Sequence, residues 1–472
     1  MPSPNIAARI ERHWDAEIIP QLIEYVRIPA KSPHFDAAWA QNGHIEQAIR
    51  LAEAWAQTQA VRGLVVEIVR LPGRTPVLVF EVPATGAGHP VTAVLLYGHL
   101  DKQPEMTGWR EGLGPWQPVI VDGKLHGRGG ADDGYAVFAA LSAIAALQAE
   151  GIPHARCFGL IETCEESGSY DLPAYLEALA PRMGQIDFVV GLDSGCGDYE
   201  RLWMTTSLRG LAAGTLTVDV LTEGVHSGDA SGVVPSSFRI ARNLLDRLED
   251  SSSGWIRPAS FHAQIPIERA EQAGAAAAIM GDTVFRKYPF SADTSPMVDN
   301  RAEALLNRTW RPALSVVGAE GLPPIANAGN VLRPRTALKL SLRLPPTVDG
   351  HRATLDLRAL LETDPPHRAA VKFEADQGAS GWNAPATASW LADAVQRASQ
   401  AFYGKPAAAM GEGGTIPFMA MLGSQFPEAQ FLITGVLGPK SNAHGPNEFL
   451  HLPYAKKLTA CVAQVLAAHE AS

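Results

Sequence analysis

At 472 residues the chain is longer than one hydrophobic core supports, so at least two domains are expected. Its 46% hydrophobic and 19% charged residues exclude a disordered or fibrous chain. A formal net charge of −10 excludes the basic field that draws nucleic acid or an anionic membrane surface.

Cys157, Cys164, Cys196 and Cys461 follow no CxxC or zinc-finger spacing and are too sparse for a disulfide framework. The N-terminal stretch is charged and amphipathic, with no apolar signal core, and the largely apolar run 136–147 is too short to span a bilayer. The cytoplasm is the expected compartment.

In chain order, residues from about 5 to 30 and 45–58 place apolar positions at three- and four-residue spacing and predict amphipathic helices. Strand-like and helical segments then alternate to about residue 207, the βαβ pattern of a mostly parallel sheet. Three of these strands run into ionisable residues. Segment 92–98 (TAVLLYG) empties into His99 and Asp101, 157–163 (CFGLIET) into Glu165 and Glu166, and 186–192 (IDFVVGL) into Asp193. Between the first two, the turn GRGGAD at 127–132 brings Asp132 to the start of a helix predicted over 133–147.

From residue 210 the texture changes. Segments 214–221 (GTLTVDVL) and 337–344 (ALKLSLRL) alternate apolar and polar residues, as antiparallel strands with one wet face do. A helix predicted over 237–248 lies between them, and a turn-rich linker at 378–382 closes the block. Helix resumes at 390–402 and a buried strand at 431–437 (FLITGVL), followed after a short loop by His444. The middle block therefore reads as an α+β insertion, with domain segments 1–208, 209–380 and 381–472.

In open α/β sheets, ligands and catalytic groups collect beyond the carboxyl ends of the strands. His99, Asp132, Glu166, Asp193 and His444 offer two imidazoles and three carboxylates, enough for two divalent ions if one carboxylate bridges them. Asp101 is placed to take the other ring N–H of His99. Glu165, beside a ligand but pointing elsewhere, suits a general base acting on water at the metals. No HExxH zinc helix and no GxSxG nucleophile elbow is present.

YGHLDKQP at 97–104, GRGGADD at 127–133, EESGS at 165–169 and NAHGPNE at 442–448 resemble the signatures of the M20 metallopeptidases. That family includes carnosinase-like dipeptidases, glutamate carboxypeptidase and acetylornithine deacetylase. The resemblance implies an α/β fold: a mostly parallel-sheet, dizinc aminopeptidase-like catalytic domain with an inserted α+β lid and dimerisation domain. It implies two divalent ions, zinc with manganese or cobalt as alternatives. Asp132 would bridge them, with His99 and Asp193 on one ion and Glu166 and His444 on the other. It further implies Glu165 as base, Asp101 as orienting acid and a cis peptide between Asp132 and Asp133.

In the insertion, GVHSGDASG places His226 where the family has a histidine that reaches the oxyanion from the partner subunit of a homodimer. Asn330 in AGNVLRP matches another oxyanion contact, and Arg343 in LSLRLPP the arginine that grips a substrate carboxylate. Gly414 and Thr415 resemble the loop that holds the same carboxylate. Two positions depart from the family: Gly134 stands where Lys is usual, and Gly411 where carnosinase-like members often have Arg.

The expected activity is hydrolysis of dipeptides or short peptides with a free C-terminal carboxylate. Glu412 is the candidate for the free amine of a dipeptide. The alternatives are deacylation of N-acyl amino acids at the same metals and an inactive metal-binding scaffold.

Overall fold

The computed structural model describes residues 4–472 other than 90 and 377. Its centre is a six-stranded sheet in the order Val65–Val69, Val77–Val82, Arg156–Glu162, Thr92–His99, Gln185–Gly191, Gln430–Ile433. The last four run parallel and the first two are antiparallel additions at one edge.

Alternation along each strand divides its side chains between two layers. Val94 and Leu96 face the helices Pro4–His13, His44–Gln57, Ala136–Ala149, Ser389–Tyr403 and Leu452–Glu470. Ala93, Leu95 and Tyr97 face Leu172–Met183 and Pro417–Gln425. Burial on both faces is why these strands read as continuous apolar runs. Gly130–Ala149 has the length and hydropathy to cross a membrane, but 94% of that window is buried inside the protein, where it backs the sheet.

The insertion forms its own antiparallel sheet in the order Ala313–Glu320, Arg335–Leu344, Gly210–Asp219, Ala370–Ala375. Leu338, Leu340, Leu342 and Leu344 are buried against the helices Ser237–Leu248 and Gly350–Glu362, while Lys339, Ser341 and Arg343 take the half-exposed face. Part of the 209–380 stretch does not belong to this layer. Helices Ile267–Met280 and Arg301–Thr309 pack on strand Ala408–Glu412, and Ala273, Ala276, Leu305 and Leu306 join the catalytic core.

The predicted strand 431–437 is shorter than its apolar run and ends at Ile433. Residues beyond it fold against the Asp193 loop, where Gly435 approaches so closely that a Cβ would lie 2.0 Å from the Ser194 carbonyl oxygen. At the opposite end of the sheet, Asp187 accepts from His89 Nδ1 at 2.8 Å and from His469 Nε2 at 3.1 Å. The two rings stack at 3.9 Å with 20° between their planes. These bonds clasp the last helix to the sheet.

Candidate active site

His99 is the last residue of its strand, and Asp193 follows the neighbouring parallel strand by two residues. Glu165 and Glu166 occupy the short turn just after Arg156–Glu162. Asp132 comes from the turn Gly130–Gly134, and the peptide between Asp132 and Asp133 is cis, as the resemblance implies. His444 arrives on the loop after Gln430–Ile433 with a positive φ of 64°.

These residues converge. His99 Nε2 lies 3.5 Å from Asp132 Oδ1 and 3.7 Å from Asp193 Oδ2. His444 Nε2 lies 3.0 Å from Asp132 Oδ2 and 3.3 Å from Glu166 Oε2. Two donor sets result, His99–Asp132–Asp193 and Asp132–Glu166–His444, each with its ligand atoms within 4.8 Å of one another. Asp132 is common to both and turns one oxygen to each.

The electrostatics fit cations. Among the described residues His99 Nε2 is fully buried with no hydrogen-bond partner, which buried polar atoms rarely tolerate. Nitrogen and carboxylate oxygen donors in this number suit zinc, and the oxygen-rich set also suits manganese. Burial pushes the Asp193 carboxyl up to about 7 and Glu166 up to about 8, with the Asp132 charge adding to both. Burial and then Asp193 hold Glu165 well above the usual carboxylate range. Asp132 goes the other way: burial opposes its charge, but the adjacent His444 and His99 rings hold it well below that range. Burial pulls His444 down, and Asp132 outweighs this to leave it at about 9.

Asp101 differs from expectation in which oxygen it offers. His99 Nδ1 is 3.1 Å from the Asp101 backbone carbonyl and 3.5 Å from its carboxylate. The carboxylate accepts the backbone N–H groups of Glu165 and Glu166 at 3.1 and 3.0 Å, so Asp101 ties the Glu165–Glu166 turn to the histidine strand.

Sequence reasoning missed a buried pair that assembles the site. Arg128 donates to Glu448 at 2.6 Å and to the Gly445 carbonyl at 2.8 Å, and Glu448 accepts Gly129 N–H at 2.9 Å. The pair locks the His444 loop to the turn that presents Asp132. Its signal was present as one cation and one anion inside two of the quoted motifs. The departure at Gly134 also has a local cause: a Cβ there would lie 2.1 Å from the ring of Tyr25, whose hydroxyl holds the Leu100 carbonyl at 3.0 Å.

A cleft of about 370 Å³ opens over these groups, lined among others by Asp132, Glu165, Glu166, Asp193, Leu208, Glu412, Gly414, Thr415 and His444. Arg343 reaches its edge by donating to Thr415 Oγ1 at 2.9 Å. His226 and Asn330 do not line the cleft of this chain. Both are exposed beside the two-stranded ribbon Val225–His226 and Val331–Leu332: His226 ends its first strand and Asn330 precedes its second, where Ser227 N–H donates to the Asn330 carbonyl at 2.9 Å.

A parallel sheet whose carboxyl ends carry two donor sets sharing one aspartate, beside a buried glutamate, defines a metal-dependent hydrolase. Residues 95–468 match the model of Peptidase family M20/M25/M40, and the chain belongs to that family. It is 27% identical over 364 residues to the cysteinylglycine-S-conjugate dipeptidase of Corynebacterium striatum, covering 75% of this chain and 76% of that one. It is 30% identical over 275 residues to the human Beta-Ala-His dipeptidase, covering 57% of this chain and 53% of that one. The fold is shared with human carnosine dipeptidase 1, with a TM-score of 0.78 at 22% identity over the full length of both chains. The dipeptidase Dug1p of Saccharomyces cerevisiae also gives 0.78, at 21% identity over 99% of this chain and 98% of that one.

Proposed function

We propose that the protein is a dipeptidase that holds two divalent ions, zinc in the first place with manganese or cobalt as alternatives. His99, Asp132 and Asp193 would bind one ion and Asp132, Glu166 and His444 the other. The observation that carries this reading is the shared Asp132, with Glu165 beside it in the same cleft. The dipeptidase names of the relatives support the substrate class.

Bound there, the ions supply Lewis-acid charge and make water easier to deprotonate. Glu165, buried and held above its usual pKa, takes a proton from the attacking water and delivers it to the leaving amine. Asp101 keeps the Glu165 turn and the His99 ring in register. The Arg343–Thr415 contact and the bare backbone at Gly414 grip the substrate's C-terminal carboxylate. Glu412, on the wall of the cleft, takes the free amine.

His226 and Asn330, exposed together on the lid ribbon, would meet the oxyanion of the scissile carbonyl across a homodimer formed through the lid. Four free, buried cysteines fit a reducing cytoplasm.

The test is a panel of free dipeptides and their N-acetyl forms, offered to protein reconstituted separately with zinc, manganese and cobalt, with released amine as the readout. Free dipeptides should be cleaved. Turnover restricted to the N-acetyl forms would make the protein a deacylase, and silence across both panels would leave a metal-binding scaffold.

A further inference from the structure

Gln103, in the YGHLDKQP segment, has no part in the reaction just described, yet its side chain lines the cleft. Its Nε2 donates to Glu166 Oε2 at 2.6 Å, and that same oxygen lies 3.3 Å from His444 Nε2. The amide therefore meets the Asp132–Glu166–His444 set at the oxygen that faces the imidazole. With a carboxylate as acceptor the bond is charge-assisted and belongs to the stronger kind. A carboxylate oxygen carries two lone-pair sites, so Oε2 can keep this bond and still serve an ion.

The backbone under Gln103 is anchored on both sides. Lys102 before it is fully buried, with Nζ donating to the carbonyls of Tyr25 at 2.7 Å and Ile28 at 2.8 Å. The Lys102 carbonyl accepts Ser32 N–H at 3.0 Å, and Pro104 disfavours a helical backbone at Gln103. Only side-chain torsions are left to order when the amide bonds Glu166.

The two donor sets differ in how firmly the fold holds them. His99 ends a sheet strand and its side chain is fully buried, whereas His444 stands on a loop with its side chain 55% exposed. Glu166 sits on a three-residue turn beside that open histidine, so the second set depends more on side-chain bonds than the first.

We propose that Gln103 is the positioning residue of the second donor set: its amide aims the Glu166 carboxylate at His444 and so sets the affinity of that set for a divalent ion. This rests on the two-ion reading. Without the amide, Glu166 regains rotamers that point away from His444, and binding an ion must order them again.

The experiment titrates the metal-free wild type, Gln103→Met and Gln103→Leu with cobalt(II) against a competing chelator, following uptake and the visible absorption of the bound ion. Met keeps the length of the side chain without its donor, and Leu removes the donor with a different shape. The wild type should take up two ions. In both variants one affinity should fall by about 10–100-fold, the usual loss when a group that orients a metal ligand is removed, and the other should stay within about threefold. The absorption of the weakened ion should change and that of the other should not, with the metal-free melting temperature unaltered. Two affinities as in the wild type overturn the proposal. An equal fall in both affinities overturns it too, since it marks a role in the fold at large. A wild type that takes up fewer than two ions overturns the two-ion reading itself, and the proposal with it.

Discussion

The catalytic sheet is covered by apolar layers on both faces and the lid sheet on one, and the candidate residues each region carries stand in opposite conditions. His99, Asp101, Asp132, Glu165 and Asp193 are at most 9% exposed, and Asp193 and Glu165 are strongly perturbed by burial and by their charged neighbours. His226 and Asn330, on the lid, are exposed and make contacts with their own ribbon. A parallel sheet buried on both faces delivers its strand ends to a dry crevice, so its ionisable residues must find partners within the chain. An antiparallel sheet with one wet face can leave polar groups in water until another surface meets them. The ionisable residues at the sheet ends therefore find their partners within the chain, whereas His226 and Asn330 are left to solvent.

The contrast is tested most severely at Glu165. Glu165→Ala should cut kcat by about 10²–10⁴-fold, the usual contribution of a general base. Metal content and the thermal midpoint should hold, and turnover above a tenth of wild type would remove the base assignment.

His226→Ala should cost about 10²–10³-fold, the usual loss for one oxyanion donor. If the lid acts across subunits, mixing inactive Glu165→Ala with His226→Ala should restore turnover, because a mixed dimer carries one intact site. Failure to regain activity under conditions that exchange subunits would confine His226 to its own chain or to no role.

Within the catalytic half, Arg128→Met should destabilise the fold by about 3–5 kcal/mol, since it leaves Glu448 buried without its partner. Denaturant melts and metal titration should both register it, because the His444 loop hangs on this pair. An Arg128→Met protein with wild-type stability and metal affinity would show the pair to be incidental.

The mildest expected effect is in pH. Folded-state pKa values of about 7 for Asp193, 8 for Glu166 and 9 for His444 all lie above ordinary ones, so the metal-free fold holds protons the unfolded chain has lost. Metal-free stability should then fall as pH rises from about 4, the ordinary carboxylate value, toward 9. Metal affinity should rise over the same window, because ions displace those protons. A metal-free protein equally stable at pH 5 and pH 8.5 would contradict the clustering.

Much of this was legible in the chain. Helix Ser237–Leu248 begins and ends where its apolar spacing predicts, and the strands bearing His99, Glu165 and Asp193 stand within a residue or two of their apolar runs. Periodicity reports such elements because burial is decided locally, one face at a time. Helices Ile267–Met280 and Arg301–Thr309 were not assigned to the catalytic body, because an apolar stripe says that a helix is covered and not by what. The end of Gln430–Ile433 was also hidden, since the residues after it stay apolar while packing on the Asp193 loop.

The sequence by itself determined the two periodicities, the strand ends at which ionisable residues collect and the motif residues that could bind metal. Only the tertiary structure decided that Asp132 faces both histidines, that Arg128 and Glu448 lock two distant loops together and that Gln103 reaches Glu166. Local spacing records which face of an element is apolar. Partners separated by hundreds of residues are chosen by packing and by the cost of leaving a buried charge alone, and neither leaves a period in the chain.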